Sequence, residues 1–405
     1  MNITARPETV GLSRDRLARI DDWMKRYVDA GKLPGMMTVI ARHGHVVDWR
    51  SYGYRDVEAK KDAADDTIYR IYSMTKPITS VGIMMLYEQG LFQLDDPIHA
   101  FIPAFKDVQV YKSGDAKSWD GEPANEPITF RHLLTHTSGL TYAFMQATPV
   151  DAIYRANKVE FNPGRGTLKA MVDKLAKMPL LAHPGAEWNY SNATDVLGRL
   201  IEVISGKSLP KFFEKEILGP LGMVDTAFHV PKDKVGRFAA MYEPTADGKM
   251  KLIDAPAKSH YLKPPETPSG GGGLAGTAGD YMRFAQMLAN KGELDGVRLL
   301  GRKTVEYMTS NHLPGDMADM GQPRFSETSY EGIGFGLGVS VALDPQKAQV
   351  LGSPGEYGWG GAASTNYWHD PVEGTTALLF TQLRPSSTYP IRRELRVLVN
   401  QALID

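Results

Sequence analysis

Both ends of this 405-residue chain contain the same two elements in mirrored order. At the start, Ser13 can cap an amphipathic helix, and two apolar runs on either side of His43-Gly44 predict a β-hairpin. Near the end, a second hairpin is predicted around the turn 371–374, followed by an amphipathic helix from Ile391. Hairpins and one-sided helices must bury their apolar faces, so we expect one antiparallel sheet with both terminal helices packed on it.

The middle of the chain is then an insertion into this sheet. Helical periodicity dominates from about 80 to 225, apart from a polar loop predicted at 113–123. We therefore expect an α/β fold of the α+β type. Residues 1–80 and 225–405 are predicted to form a discontinuous sheet domain, and residues 81–224 a mostly helical domain, with the active site between them.

Composition narrows the function classes. Lys and Arg total 46 against 47 Asp and Glu, a formal charge of -1. The chain therefore lacks the excess of positive charge that is typical of proteins that bind nucleic acid or an anionic membrane. The absence of cysteine excludes disulfides, thiolate nucleophiles and cysteine-based zinc sites. The N-terminus lacks a signal-peptide pattern, and no stretch reaches the ~18 apolar residues of a membrane span. We expect a soluble, cytoplasmic protein with a small-molecule substrate and no cofactor, while its oligomeric state stays open.

A candidate nucleophile and base lie near residue 75. An apolar helical run begins just after Ser73 and ends at Gly90. Ser73 should therefore lie at a helix N-terminus, where backbone N–H groups and the helix dipole stabilise negative charge. Lys76 follows one turn later on the same face, within reach of the serine hydroxyl. A serine needs a base to become a strong nucleophile, and a lysine amine made neutral by burial can serve as one.

The Ser-x-x-Lys spacing alone is weak support, because the chain repeats it at Ser208 and Lys211. We interpret that second copy as a helix cap, with Ser208 starting the segment 212–218. Two further motifs distinguish the first copy. Tyr190-Ser191-Asn192 stands at the start of an apolar helix, and Trp359-Gly360-Gly361 precedes a predicted strand, where glycines let a ligand approach the backbone closely.

In order and wide spacing, Ser73-x-x-Lys76, Tyr190-x-Asn192 and Trp359-Gly360-Gly361 resemble the three motifs of the serine β-lactamase and penicillin-binding-protein superfamily. The chain is most similar to the class C β-lactamase-like branch, in which family VIII carboxylesterases often have Trp-Gly-Gly as the third motif. Three further stretches match this branch: 133–140, 220–226 and 271–280. The resemblance covers nearly the whole chain and implies a β-lactamase/transpeptidase-like fold.

The resemblance also implies roles for individual residues. Ser73 would be the acylated nucleophile, and Lys76 with Tyr190 would move the proton to and from it. The backbone N–H groups of Ser73 and Ala362 would form the oxyanion hole. Asn192 would hydrogen-bond both Lys76 and the substrate.

The substrate-binding residues implied by the resemblance are Asn192, Trp359, Gly360 and Gly361, with the indole as a wall of the site. On the residues alone, plainer interpretations stay open. Tyr190 could be a helix-flanking aromatic, Asn192 only a helix cap, and Trp359 a structural side chain. Three aromatic residues are candidates for the pocket lining: Tyr142, Phe144 and Phe161.

Trp359 is where the chain departs from the β-lactamases. Their third motif supplies a lysine that binds the substrate carboxylate, which an indole cannot do. We therefore expect a serine carboxylesterase that hydrolyses short- to medium-chain carboxylic esters, with weak β-lactam hydrolysis left open. The alternatives are an acyltransferase, a D-amino-acid peptidase or β-lactamase on the same fold, and a non-catalytic scaffold.

Other candidate sites lack the residues that their chemistry needs. His132 and His136 lack the glutamate of a His-Glu-x-x-His zinc site, and the turn His43-Gly44-His45 lacks further ligands, so we expect no metal. Gly270 to Gly273 is predicted to be a short flexible turn and not a phosphate loop, because no Lys-Ser/Thr follows it. The chain contains no Gly-x-Ser-x-Gly pentapeptide, which sets the α/β-hydrolase fold aside.

Overall fold

The main sheet joins both ends of the chain. In the computed structural model, which describes residues 2–321, 324–325 and 328–405, this sheet contains eight antiparallel strands. In spatial order they are Ile333–Phe335, Ser340–Ala342, Tyr357–Gly360, Asn366–Asp370, Thr375–Phe380, Gly35–Arg42, His45–Asp56 and Lys61–Asp62. The first of these strands in the sequence pairs with the last, from Met37 opposite Phe380 to Arg42 opposite Thr375. The predicted antiparallel sheet built from both terminal hairpins is therefore confirmed.

Both terminal helices pack on the same face of this sheet, as predicted. The N-terminal segment folds as two helices, Arg14–Leu17 and Arg19–Val28, and Ser13 Oγ accepts the Arg16 N–H at 3.3 Å as a helix cap. The C-terminal helix is Ile391–Asn400. Helices and sheet contribute to one buried apolar cluster that includes Leu17, Ile20, Trp23, Ile40, Trp368, Leu395 and Val399.

The rest of the described chain is mainly helical or forms short strand pairs. The further α-helices are Thr75–Glu88, Phe130–Leu134, Pro149–Ala156, Leu168–Leu175, Ala193–Ser205, Leu209–Phe212, Ala278–Ala289, Arg302–Met308 and Pro345–Ala348, and Phe213–Leu218 is a π-helix. The 3₁₀-helices are Pro7–Val10, Tyr72–Met74, Ile98–Ala100, Pro103–Phe105, Ala143–Met145, Lys232–Arg237, Pro256–Lys258 and His260–Leu262. The short strand pairs are Tyr69–Arg70 with Ala275–Gly276, Gln109–Gly114 with Trp119–Pro123, Met241–Pro244 with Met250–Asp254, Glu293–Leu294 with Val297–Arg298, and Arg324–Phe325 with Thr328–Ser329. The described helices fall short of the length and apolar character that a bilayer crossing requires.

Two predictions about β structure are wrong. The predicted polar loop over 113–123 is part of a hairpin formed by Gln109–Gly114 and Trp119–Pro123. The segment Tyr357–Gly360, predicted to precede a strand, is itself an inner strand of the main sheet. Its two glycines have low strand propensity, so the local pattern does not reveal it. Hydrogen bonds to strands on both sides hold the segment extended.

The helix Thr75–Glu88 lies at the centre of the helical segments. Nearly all of its side chains are buried, and it packs against the helix Ala193–Ser205. Gly82 permits this close approach, because a Cβ there would lie 3.1 Å from Ile201 Cδ1. The helix Ala278–Ala289 covers the sheet face opposite the terminal helices, and its apolar core continues into these helices. The predicted domain boundary at residue 80 thus falls inside a buried helix.

Replacing Leu395 by alanine should destabilise the fold. The Leu395 side chain is fully buried between the C-terminal helix and the sheet, and its truncation leaves a cavity. We expect the free energy of unfolding, measured by urea denaturation, to fall by about 2–5 kcal/mol. Val397→Ala on the same helix is the control, because Val397 is 48% exposed and the change should cost less than about 0.5 kcal/mol. Equal losses in the two variants would contradict the packing described above.

Candidate active site

Ser73 lies on a tight turn that leads into a buried helix. Tyr72–Met74 forms one turn of 3₁₀-helix, and the helix Thr75–Glu88 follows directly. Tyr72 has a φ of 41°, a left-handed conformation that a residue with a Cβ rarely adopts. The turn places the half-buried Ser73 in the wall of a cavity. Ser73 therefore combines a hydroxyl that a ligand can reach with the positive end of a helix dipole.

Two side chains reach the Ser73 hydroxyl. Lys76 Nζ donates to Ser73 Oγ at 3.2 Å, and the Tyr190 hydroxyl donates to it at 2.5 Å. Tyr190 precedes the helix Ala193–Ser205, which packs on the helix that contains Lys76. The structure thus brings together the three residues predicted to be catalytic, from two distant parts of the sequence.

The Lys76 amine is fixed by contacts on several sides, and its side chain is 1% exposed. Besides the serine hydroxyl, Nζ donates to the Gly271 carbonyl at 2.6 Å. It also lies 4.6 Å from the centre of the Tyr190 ring and 5.3 Å from that of Tyr142. One hydroxyl, one carbonyl and two aromatic faces therefore surround the amine and restrict its movement.

Asn192 contacts a different partner from the one predicted. Its Nδ2 donates to the Thr141 carbonyl at 3.0 Å, and its side chain makes no capping bond at the start of the helix Ala193–Ser205. Among the hydrogen bonds of the described residues, neither the predicted bond to Lys76 nor the alternative helix cap is present. The Asn192 amide instead satisfies the buried Thr141 carbonyl, while the amine of Lys76 bonds Ser73 Oγ and the Gly271 carbonyl. Asn192 nevertheless lines the cavity.

The two candidate histidines next to this segment make structural contacts. His136 is buried with its Nδ1 3.1 Å from Ser191 Oγ, and burial together with the positive charge of Lys76 lowers the pKa of its imidazole. His132 completes a capping box with Thr129 at the start of a short helix. No group of three or more metal-ligating side chains occurs in the part of the chain that the structure describes.

Trp359 forms part of the cavity wall. The indole is 8% exposed, and its ring centre lies 5.5 Å from that of Tyr190 and 5.3 Å from that of Phe335. Trp359 therefore contacts the ring whose hydroxyl reaches Ser73. This contact connects the third sequence motif physically to the second.

The backbone after Trp359 is held by hydrogen bonds. The Gly361 N–H donates to the Thr365 carbonyl at 2.9 Å, and the Gly361 carbonyl accepts from Arg392 at 2.7 Å. Gly360, Gly361 and Ala362 line the same cavity as Ser73. The predicted oxyanion-hole residues, Ser73 and Ala362, are thus both on its wall, each on a fixed turn.

The cavity around Ser73 has a volume of about 1050 Å³. Its lining includes the three predicted aromatic residues, Tyr142, Phe144 and Phe161.

The second Ser-x-x-Lys copy lies outside this cavity, since neither Ser208 nor Lys211 is among the described residues that line it. Ser208 occupies the N-cap position of the helix Leu209–Phe212 without a side-chain capping bond. The second Ser-x-x-Lys copy therefore has the predicted position at a helix start, but not the predicted cap contact.

Two residues close to Lys76, Asp195 and Ser269, belong to no motif recognised in the sequence. Asp195 Oδ1 accepts the Ser269 hydroxyl at 2.5 Å and the Gly271 N–H at 3.0 Å. The predicted turn at Gly270 to Gly273 is present, and it is buried and bonded to a carboxylate, contacts that restrict its movement. The available signal was a single aspartate among the apolar residues of a predicted helix, a position that demands a polar partner when buried.

Replacing Gly361 by alanine should disturb the oxyanion hole. A Cβ at this position would clash with the Ile71 carbonyl, so the backbone before Ser73 or before Ala362 would have to shift. We expect the rate at which a fluorophosphonate labels Ser73, followed by mass spectrometry, to fall by about 100- to 1000-fold. Gly236→Ala is the control, because a Cβ there meets no atom within 4 Å and Gly236 is not among the described residues that line the cavity. A loss as large in the control would argue against a specific role of the turn.

Comparisons with known proteins agree with this geometry. A sequence profile of the family described as Beta-lactamase matches residues 20–401. Protein Rv1367c of Mycobacterium tuberculosis is 35% identical over 368 residues, covering 89% of this chain and 89% of that protein. Esterase EstB of Burkholderia gladioli is 30% identical over 382 residues, covering 90% of each chain.

A solved structure shows that the similarity extends to the fold. EstCE1, described as a hydrolase with promiscuous acyltransferase activity, superposes with a TM-score of 0.82 at 28% identity. The match covers 95% of this chain and 98% of EstCE1. With the family profile spanning nearly the whole sequence and the fold shared along its length, the chain belongs to the β-lactamase family of serine hydrolases.

Proposed function

We propose that this chain is a serine carboxylesterase that hydrolyses short- to medium-chain carboxylic esters through an acyl-enzyme on Ser73. The observation that carries the proposal is the contact of one serine hydroxyl with two proton-transfer groups, Lys76 Nζ at 3.2 Å and the Tyr190 hydroxyl at 2.5 Å. This constellation lies on the wall of a cavity large enough for an ester and its acyl chain. Esterase EstB and the hydrolase EstCE1 among the similar proteins support an ester as the substrate.

In the acylation step, Ser73 Oγ attacks the ester carbonyl carbon while its proton passes to Lys76 or Tyr190. Both acceptors lie at direct hydrogen-bond distance from Oγ, so the transfer requires no intervening water. The backbone N–H groups of Ser73 and Ala362 stabilise the negative oxygen of the tetrahedral intermediate. The bond to the alcohol oxygen then breaks, and the same proton passes to the leaving alcohol.

Deacylation uses the same groups in the opposite direction. A water molecule attacks the acyl carbon while Tyr190 or Lys76 accepts its proton. The second tetrahedral intermediate collapses, the carboxylic acid leaves, and the proton returns to Ser73 Oγ. The Gly271 carbonyl, 2.6 Å from Lys76 Nζ, holds the amine in place through both half-reactions.

The cavity wall at Trp359 supports an uncharged substrate group at this position. Trp359 presents an aromatic face where β-lactamases have a lysine, so this position offers no cation to a substrate carboxylate. Apolar surface for an acyl chain comes from Tyr142, Phe144 and Phe161. In this proposal the substrate contacts the cavity residues Asn192, Trp359, Gly360 and Gly361.

Mass spectrometry after exposure to p-nitrophenyl butyrate tests the acyl-enzyme. Wild-type protein should gain one butyryl group on the peptide that contains Ser73. Ser73→Ala should gain none and should lose esterase activity by about 10,000-fold or more, because the nucleophile is gone. Ser208→Ala, in the second Ser-x-x-Lys copy, is the matched control and should keep both properties. A label on another residue, or full activity of Ser73→Ala, would refute the proposal.

An acyltransferase is the second candidate, favoured by the described activity of EstCE1. The two functions differ in whether water or an alcohol takes the acyl group from Ser73. We expect a hydrolase, for which the ratio of new ester to free acid rises only in proportion to the alcohol added. Product analysis by gas chromatography over a series of butanol concentrations measures this ratio. Saturation of the ratio at low butanol would instead indicate a binding site for the alcohol and make transfer the main function.

A further inference from the structure

Asp195 is a buried carboxylate at the candidate site that the mechanism above does not use. Its side chain is 1% exposed and forms part of the wall of the cavity around Ser73. Burial raises the pKa of this carboxyl group, and the positive charge of Lys76 opposes the rise. A carboxylate in such a place is costly unless its oxygens find hydrogen-bond donors.

The donors of Asp195 come from the glycine-rich segment 269–273. Oδ1 accepts the Ser269 hydroxyl at 2.5 Å and the Gly271 N–H at 3.0 Å. The packing on this side is close, because a Cβ on Gly271 would lie 2.7 Å from Asp195 Oδ2 and 3.0 Å from the Tyr142 hydroxyl. Four consecutive glycines would otherwise leave this backbone with wide conformational freedom. Asp195 therefore anchors the backbone on the N-terminal side of Gly271.

The residue anchored in this way, Gly271, in turn contacts Lys76 through its carbonyl. The Gly271 carbonyl accepts a hydrogen bond from Lys76 Nζ at 2.6 Å, while the same nitrogen lies 3.2 Å from Ser73 Oγ. With one N–H bound to a fixed carbonyl, rotation about the Cε–Nζ bond is restricted, which keeps the amine beside the serine hydroxyl.

We infer that Asp195 is a positioning residue for acylation: it fixes Gly271, whose carbonyl orients the Lys76 amine toward Ser73. This inference rests on the function proposed above. Asn192, the residue that the motif resemblance assigns to Lys76, instead donates to the Thr141 carbonyl. The pair of Asp195 and Gly271 thus performs the task that the motif pattern gives to an asparagine.

Two substitutions of Asp195 separate its positioning role from simple loss of stability. Asp195→Ala removes the anchor, while Asp195→Asn keeps an oxygen that can accept the Gly271 N–H. The readout is the time course of labelling by a fluorophosphonate, in which the final amplitude counts competent sites and the rate constant reports attack by Ser73. We expect the rate constant per competent site to fall by about 100-fold in Asp195→Ala and by less than about tenfold in Asp195→Asn. With p-nitrophenyl butyrate, kcat should fall accordingly while KM stays nearly constant.

Asp280 offers a closely matched control. It also lies in the first turn of a helix, Ala278–Ala289, and its Oδ2 accepts the Asp225 N–H and the Thr226 hydroxyl, both at 2.8 Å. It is not among the described residues that line the cavity of Ser73. Asp280→Ala should therefore lower thermal stability but leave the labelling rate per competent site within about twofold of wild type, because only stability is affected.

The outcomes decide whether Asp195 positions Lys76 or only stabilises the fold. A wild-type labelling rate per competent site in Asp195→Ala, or an equal loss of rate in Asp280→Ala, would overturn the inference. If Asp195→Ala does not fold, Ser269→Ala removes one contact of the same anchor, and its rate should fall by about fivefold, equivalent to one hydrogen bond. An unchanged rate there would overturn the inference as well. Full activity of Ser73→Ala would instead refute the proposed function, so the two failures are distinguishable.

Discussion

The pairing of Gly35–Arg42 with Thr375–Phe380 is the contact on which the rest of the structure depends. It closes the chain into one sheet and places the strand Tyr357–Gly360 three positions away from the first strand. Every residue of Gly35–Arg42 is buried, because helices cover both faces of the sheet. The turn Tyr72–Met74 contacts the strand Tyr357–Gly360, so the position of Ser73 relative to Trp359 follows from this pairing.

Aromatic packing gives the candidate site its rigidity. The Tyr190 ring lies 5.5 Å from Trp359, 5.2 Å from Tyr142 and 5.2 Å from His136, measured between ring centres. Rings in such tilted arrangements gain packing energy and lose few rotamers, which holds the phenol at a fixed angle. A tryptophan in the third motif therefore replaces a mobile charge with a side chain that supports the catalytic tyrosine of the proposed mechanism.

Much of this architecture could be predicted from sequence because its signals are local. The hairpin turns, the cap at Ser13 and the apolar stripes of the terminal helices each reside in one short segment, and the structure has them as predicted. The same holds for the approach of Lys76 to Ser73, since both lie on one helical turn. Tyr190 could be placed beside them only through the order of motifs.

The features that the sequence did not reveal depend on contacts between distant segments. Tyr357–Gly360 is a strand because of its neighbours and not because of its residues. Asn192 turns to Thr141 instead of Lys76, and the turn at Gly270 to Gly273 is buried and bonded to Asp195. In each case a hydrogen-bond partner far away in the sequence decides the local structure, and a window of neighbouring residues does not contain that partner.

The pairing of the first sheet strand with the last one also has a consequence for biosynthesis. Gly35–Arg42 leaves the ribosome before its partner Thr375–Phe380 has been made, because more than 300 residues separate the two strands. Until then, the first hairpin has an open edge and uncovered apolar faces, a state that favours pairing with other chains. Ser73 and Lys76 also precede by far the strand Tyr357–Gly360, which contributes Gly358, Trp359 and Gly360 to the cavity wall. The edge of the first hairpin is therefore open to other nascent chains until Thr375–Phe380 has been made, and the cavity around Ser73 is complete only after Tyr357–Gly360 has been made.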